Sequence, residues 1–299
     1  MHTLYRDFKT QEALDTQYDV ERSVPDFGVY ARHFTDQSKL ARHRLKCELD
    51  VRYGPTLAEY VDVFPAPVRP SPVLMFIHGG YWRMLSAKEF SCVALGLVEA
   101  GVTVVNVNYA LCPVVNIDEI VRQVRAAIAW TWRHAGDFGA DRERIYVSGH
   151  SAGGHLTAMS MNTDWPGVYG LPDNLVKGGL SVSGVFDLRP IRYTGMQPAI
   201  QLDDGLIARN SPQLLTPRRQ RSPLLFSVGG DEPAEFQRQT QDYLQHWQFA
   251  GNEARFIAQP GKNHFDAIYG FEQSDSPLCQ ALFTLMGVST RARHRPPNR

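Results

Sequence analysis

Residues 144–156 read Arg-Ile-Tyr-Val-Ser-Gly-His-Ser-Ala-Gly-Gly-His-Leu. The apolar start is typical of a buried strand end, and Gly149-His-Ser-Ala-Gly153 fits the G-x-S-x-G turn from a strand into a helix. Ser151 must take a strained conformation at the apex, where the two flanking glycines let neighbouring backbone pass closely. The turn exposes the Ser151 hydroxyl above the sheet edge. The N–H of Ala152, at the helix N-terminus, is then directed at a developing oxyanion.

A second motif lies upstream of this turn. The apolar, strand-type run at 73–77 leads directly into His78-Gly-Gly-Tyr-Trp82. Lipases and esterases place an H-G-G motif after an early strand, where its backbone N–H groups complete an oxyanion hole. We expect Gly80 and Tyr81 to supply those N–H groups together with Ala152. Either motif alone is compatible with an ordinary glycine turn, but both in this order predict a serine hydrolase.

Composition limits the class of protein. The 31 basic and 31 acidic residues balance, which argues against a nucleic-acid or anionic-membrane partner. No apolar run approaches the roughly 20 residues needed to span a bilayer. The scattered cysteines lack a C-x-x-C pair, which predicts reduced thiols and a soluble cytoplasmic protein; they are Cys47, Cys92, Cys112 and Cys279. No H-E-x-x-H or comparable cluster predicts a metal, no cofactor is expected, and a homodimer is left open.

A single domain is expected over residues 1–299, because the sequence shows no linker or repeat and large α/β folds often reach this length. Residues 1–58 lack strand patterning, with short helices expected at 10–18 and 36–44. They precede the first core strand, so we expect a partial cap over the active edge of the sheet. The core is assigned to 59–288, and the basic, proline-bearing end at 289–299 predicts a disordered tail.

The core alternates strands and helices. Residues 60–64 alternate apolar and polar side chains between prolines, which predicts an antiparallel edge strand. A capping box at 86–89 opens a helix that Gly101 ends, and Asn116 caps an amphipathic helix. Further strands are expected at 102–107, 180–183, 224–228 and 254–257, further helices at 234–250 and 278–286, and a long irregular insertion at 186–223. This alternation demands right-handed crossovers and a doubly wound, mostly parallel sheet.

The general base is expected after the last strand, because active sites form at the carboxyl ends of parallel strands. His264, in the loop 261–266, lies there. Its orienting acid should precede it in the chain, and the loop after the strand at 224–228 offers Asp231 and Glu232. Adjacent residues project to different sides, so only one can face the imidazole. The other histidines considered are assigned to structural roles (His78, His150, His155) or to solvent (His43, His134, His246).

These motifs together resemble the kynurenine formamidase branch of the hormone-sensitive-lipase-like esterases, which have the α/β-hydrolase fold. The resemblance covers residues from about 60 to 286. It rests on the H-G-G-Y-W motif at 78–82, the serine elbow, Val-Ser-Gly-Val-Phe-Asp-Leu at 182–188 and Asn-His-Phe-Asp at 263–266. It implies acyl-enzyme hydrolysis of N-acyl aromatic amines such as N-formylkynurenine or N-acylanthranilates. Two alternatives stay open: a broad carboxylesterase acting on aryl or short-chain esters and carbamates, and a catalytically inactive receptor.

The resemblance also favours Glu232 as the acid. Glu232 is fourth in Gly229-Gly-Asp-Glu232, where related hydrolases carry their acid, and Glu235-Phe236 follows it at the family's distance. Many relatives have aspartate at this position, so the longer glutamate requires a loop set further from the histidine. The predicted triad is Ser151, Glu232 and His264. Tyr81 and Trp82 are expected either to line an aromatic pocket or to pack under the cap.

Overall fold

The computed structural model describes residues 3–219 and 222–289. In this part of the chain, one sheet contains eight strands: β1 (Glu48–Arg52), β2 (Tyr60–Phe64), β3 (Ser71–Ile77), β4 (Thr103–Val107), β5 (Ala140–His150), β6 (Val176–Val182), β7 (Leu224–Gly229) and β8 (Ala254–Gln259). Their order is β1-β2-β4-β3-β5-β6-β7-β8. Only the β1–β2 and β2–β4 pairs are antiparallel. The predicted α/β-hydrolase fold, with a mostly parallel sheet, is confirmed.

The connections are largely helical. The α-helices are α1 (Gln11–Tyr18), α2 (Phe27–Arg44), α3 (Leu95–Val98), α4 (Ile117–His134), α5 (Ala152–Met161), α6 (Trp165–Tyr169), α7 (Gln197–Ile200), α8 (Asp204–Asn210), α9 (Ala234–Phe249) and α10 (Pro277–Met286). No helix among the described residues is long and apolar enough to cross a membrane. The four cysteines are free thiols.

The core lies against the middle of the sheet. Strand β3 is buried along its whole length between β4 and β5, as expected for a parallel strand covered on both faces. Helix α4 begins at its Asn116 cap, whose side chain accepts a hydrogen bond from the Glu119 N–H. Its predicted apolar stripe is buried. These elements therefore form where the sequence patterns predict them.

The predicted position of the sheet edge was wrong. Strand β2 pairs with both β1 and β4, so β1, inside the segment expected to lack strands, is the edge. Most of β1 is exposed, and Asp50 within it has a φ of 59° where the pairing with β2 shifts register. Residues 48–52, Glu-Leu-Asp-Val-Arg, do alternate polar and apolar side chains, so a strand signal is present and the expectation for 1–58 overlooked it. The signal is short, because only Leu49 and Val51 are apolar and the bulge at Asp50 interrupts the pairing.

Three further segments differ from expectation. Helix α2 begins at Phe27, because Asp26 accepts a hydrogen bond from Gly28 and caps it well before residue 36. The capping box at Ser86 forms, but it opens a 3-10 helix over Ala87–Ala94 that is kinked at Phe90 and precedes the short α3. The insertion at 186–223 contains α7 and α8. The predicted tail begins at residue 289, and its residues from 290 onward lie outside the described part of the chain.

Candidate active site

The serine elbow connects β5 to α5. Ser151 has φ 57° and ψ −118°, and its N–H donates to the Val182 carbonyl at 2.9 Å. A Cβ on Gly153 would lie 1.9 Å from the Ile77 carbonyl oxygen, and one on Gly149 would lie 2.3 Å from that of Gly153. Because these neighbours are backbone atoms that cannot move aside, both positions exclude a side chain. The elbow thus has the steric cause inferred from its sequence.

The H-G-G loop follows β3 and runs beside the elbow. Gly80 has φ 106° and Tyr81 has φ 48°, a left-handed turn closed by hydrogen bonds from the Arg83 and Met84 N–H groups to the Gly80 carbonyl. Within the described residues, the N–H groups of Gly80, Tyr81 and Ala152 donate to no protein acceptor. All three predicted donors are therefore available to a bound oxyanion.

The histidine loop and the acid loop meet in the interior. His264 Nδ1 lies 2.7 Å from Glu232 Oε2, and both side chains are buried. The other carboxylate oxygen, Oε1, accepts hydrogen bonds from the Ser183 hydroxyl at 2.5 Å and the Gly229 N–H at 2.6 Å. Asp231 is exposed. The structure therefore brings Glu232, and not Asp231, to the imidazole.

Two residues near this pair had no catalytic assignment from the sequence. Ser183 is fully buried, has φ 54°, and is tied to β7 by its N–H, which donates to the Ser227 carbonyl. His150 Nε2 donates to the His264 carbonyl at 2.8 Å, with the two rings 4.6 Å apart. Burial and the nearby His264 hold the pKa of His150 well below its ordinary value. Since Ser183 belongs to the 182–188 motif of the family resemblance, that motif was the available signal.

Ser151 and His264 line one cavity of about 460 Å³. Gly80 and Tyr81 also face this cavity, while Ala152 is buried at the start of α5. The other aromatic side chains that line the cavity come from three parts of the chain. They are Tyr18, Phe27 and Phe34 of the N-terminal segment, Phe90 of the 3-10 helix after Ser86, and Phe265, which follows His264. The cavity therefore offers an apolar, aromatic surface beside the serine.

The two aromatic residues of the H-G-G-Y-W motif differ in position. Tyr81 lines the cavity, and its hydroxyl donates to the Tyr18 carbonyl at 2.5 Å. Trp82 is fully buried, and its Nε1–H donates to His155 Nδ1 at 3.2 Å. His155 Nε2 in turn donates to the Asn210 carbonyl at 2.6 Å. Trp82 therefore has a packing role in the core, and His155 has the structural role assigned to it.

Tyr18 links the N-terminal segment to the hydrolase core. Its carbonyl accepts the Tyr81 hydrogen bond, while its hydroxyl donates to Glu235 Oε2 at 2.9 Å and accepts from Gln239 Nε2 at 2.8 Å. Glu235 is also held by Arg238 at 2.7 Å. The end of α1 is thus fastened both to the H-G-G loop and to α9, which begins directly after the acid loop.

The remaining histidines are not brought to the serine. His78 stacks on Tyr109 with ring centroids 4.1 Å apart, and burial lowers its pKa to about 4. His43 is exposed and His134 contacts Asp137 at 2.9 Å. His246 was expected to face solvent, but its Nε2 donates to the Leu215 carbonyl at 2.8 Å. The described residues contain no cluster of side chains arranged to hold a metal ion.

Comparisons with known proteins show which proteins the chain resembles. The BD-FAE family model matches residues 62–165. The chain is 33% identical to the kynurenine formamidase of Salmo salar over 257 residues, or 83% of this chain and 85% of that protein. It is 29% identical to the kynurenine formamidase of Danio rerio, over 94% and 98% respectively. A putative thioesterase from Silicibacter sp. TM1040 matches with a TM-score of 0.79 at 27% identity, covering 89% of this chain and 97% of that one. The chain therefore belongs to the kynurenine formamidase family of serine-type α/β-hydrolases.

Proposed function

We propose that this enzyme hydrolyses N-acyl aromatic amines, such as N-formylkynurenine, through an acyl-enzyme on Ser151. The observation that carries the chemistry is the buried 2.7 Å contact between His264 Nδ1 and Glu232 Oε2, in a site whose cavity is lined by both Ser151 and His264. The substrate class rests on the similarity to kynurenine formamidases over most of the chain.

The first step requires a base beside the serine. His264 Nδ1 is engaged by Glu232, so Nε2 is the nitrogen left to take the proton of Ser151 as its oxygen attacks the acyl carbon. The resulting imidazolium is stabilised by the Glu232 carboxylate. That carboxylate is itself fixed by two donors on its other oxygen. His264 then returns the proton to the departing arylamine, and a water molecule repeats the sequence to release the acid.

The oxyanion of each tetrahedral intermediate needs donors that are already in place. In this proposal the N–H groups of Gly80, Tyr81 and Ala152 supply them. One such donor typically contributes about 3 kcal/mol to lowering the barrier. Because the left-handed turn at Gly80 and Tyr81 holds their N–H groups without protein acceptors, no internal hydrogen bond has to break first.

The cavity suits an aromatic leaving group. Its volume of about 460 Å³ falls in the usual range of small-molecule sites, and aromatic side chains form much of its wall. We also propose a cytoplasmic enzyme that acts without a metal or cofactor and has no nucleic-acid or membrane partner. Its free thiols and its balance of 31 basic and 31 acidic residues support this part of the proposal.

The test is a comparison of kcat/KM for N-formylkynurenine, N-acylanthranilates and short p-nitrophenyl esters on one EDTA-treated preparation. The proposal predicts turnover of the aromatic amides, with kcat/KM for at least one above that for every ester. Hydrolysis of the esters alone would instead identify a carboxylesterase. Failure to turn over any of these substrates, with no labelling by a fluorophosphonate, would identify the catalytically inactive alternative.

A further inference from the structure

The charged side chains that line the cavity differ in whether they have a hydrogen-bond or ion-pair partner. Asp15 accepts hydrogen bonds from the Gly195 N–H and Gln11, Asp19 pairs with Arg22 at 2.9 Å, and Glu89 is held in the capping box of Ser86. Arg83 and Glu21 also line the cavity, but neither side chain has a hydrogen-bond or ion-pair partner among the described residues. The wall therefore carries one unpaired cation, Arg83, and one unpaired carboxylate, Glu21, among the described residues.

The backbone of Arg83 is held close to the reacting groups. Its N–H donates to the Gly80 carbonyl at 3.0 Å, within the same turn that presents the proposed oxyanion donors. Burial raises the pKa of the Tyr81 hydroxyl, and the positive charge of Arg83 opposes that rise, which places the guanidinium within electrostatic range of Tyr81. Arg83 is also exposed, so it lies where the cavity opens to solvent.

We propose that Arg83 is a specificity-determining residue that binds a carboxylate on the substrate, so that the preferred substrates are N-acyl aromatic amines bearing an acidic group. This inference rests on the proposed function. The planar guanidinium accepts a carboxylate in a two-point contact that an ester or a neutral anilide cannot make. With the acyl group at Ser151 and the ring against the aromatic wall, the carboxylate lies toward the mouth of the cavity.

The matched substrates are N-formylkynurenine and its decarboxylated analogue, which keeps the formanilide and the amine. Wild-type enzyme should have the higher kcat/KM for N-formylkynurenine, mainly because its KM is lower. In Arg83→Met the ratio of the two kcat/KM values should fall about tenfold, as expected for one charge-assisted contact at a partly solvated site. Arg22→Met is the control, because it removes the same charge from the same cavity, but from a residue already paired with Asp19. Its ratio should stay within about twofold of wild type.

Three outcomes would overturn the inference: an unchanged ratio in Arg83→Met, an equal loss for both substrates, or an equal change of the ratio in Arg22→Met. The second outcome would indicate a purely structural role in the H-G-G loop. Failure of the proposed function looks different, because wild-type enzyme would then hydrolyse neither formanilide. Arg83→Lys provides a rescue, since it restores the charge without the fork and should recover part of the ratio.

Discussion

At the scale of single residues, burial distinguishes the proposed acid of the site from its neighbour. Glu232 is buried and divides its two carboxylate oxygens between His264 on one side and Ser183 with Gly229 on the other. Its neighbour Asp231 points outward and is exposed. The longer side chain of glutamate is what spans from the acid loop to the imidazole while keeping the second oxygen on its donors.

Replacement of the acid should therefore separate the two neighbours. Glu232→Gln leaves the packing nearly unchanged but removes the charge that stabilises the imidazolium, and we expect kcat to fall by roughly 10²- to 10⁴-fold. Asp231→Asn is the matched control and should stay near wild type. Steady-state kinetics on both folded variants make the comparison. The reverse ranking would assign the acid to Asp231.

Ser183 should act through Glu232. Ser183→Ala removes one of the two donors on Oε1, so the carboxylate loses part of what fixes its orientation. We expect kcat to fall about tenfold with little change in KM, because one hydrogen bond to a charged group contributes roughly 1.5 kcal/mol or more. The measurement is kcat and KM of Ser183→Ala at several pH values, because this variant lacks only Oγ. A change confined to KM would contradict a positioning role.

Whether the sequence predicts one of these residues depends on how close its partners lie along the chain. Ser151 and its flanking glycines occupy five consecutive positions, so their steric requirement is visible as a motif. Ser183 meets Glu232 only because β6 and β7 pair in one register, and the two residues are 49 positions apart. Its role was therefore not predictable from spacing, although the choice of Glu232 over Asp231 agrees with the observed geometry.

At the scale of elements, α1 and α2 form part of the cavity wall. Burial and the neighbouring Glu235 carboxylate raise the pKa of Tyr18, so its phenol stays protonated and donates. The N-terminal segment thus contributes lining residues and is held down by hydrogen bonds at the end of α1. The sequence indicates helices here from polar and charged segments with few apolar positions, but the prediction missed β1, although Glu48–Arg52 alternates polar and apolar side chains.

Loosening this attachment should weaken substrate binding. Tyr18→Phe removes the hydroxyl that joins Glu235 and Gln239, and we expect kcat/KM to fall roughly fivefold through KM, as for a contact of about 1 kcal/mol. Tyr193→Phe is the control, because the Tyr193 hydroxyl has no partner among the described residues. Kinetics with N-formylkynurenine distinguish the two. Equal values for both variants would show that α1 does not shape the site.

At the scale of the whole molecule, the site is assembled by neighbouring strands. Ser151 follows β5, Ser183 follows β6, Glu232 follows β7 and His264 follows β8, and these four strands are adjacent in this order. The chain order of the proposed nucleophile, acid and base is thus also the order of their strands across the sheet. This is why the sequence predicts the fold and the placement of the site well, whereas contacts between loops depend on the structure.

The buried histidines should make the whole fold sensitive to acid. Burial lowers the pKa of His155 and of His78 to about 4, so the unfolded chain binds more protons than the folded one below pH 6.5. Stability is therefore present above pH 6.5 and is lost as the pH falls toward 4. Each such histidine should reduce the free energy of unfolding by about 2 kcal/mol between pH 7 and pH 5.

Denaturant unfolding at the two pH values measures this loss. His155→Gln removes one titrating group and should reduce the difference between pH 7 and pH 5, whatever its effect on stability at pH 7. His43→Gln is the control, because His43 is exposed and its replacement should leave the difference unchanged. An identical pH dependence in wild type and His155→Gln would contradict the assignment of a buried neutral imidazole.

The most direct test of the central claim is the turnover of N-formylkynurenine by Ser151→Ala beside wild type, with thermal unfolding measured on both. The variant lacks only the attacking oxygen at a turn that alanine can occupy, so it should unfold at nearly the wild-type temperature. Its kcat should fall by about 10⁴-fold or more, and a fluorophosphonate should label wild type alone. A folded Ser151→Ala that retains more than about one hundredth of wild-type turnover would contradict catalysis through an acyl-enzyme on Ser151.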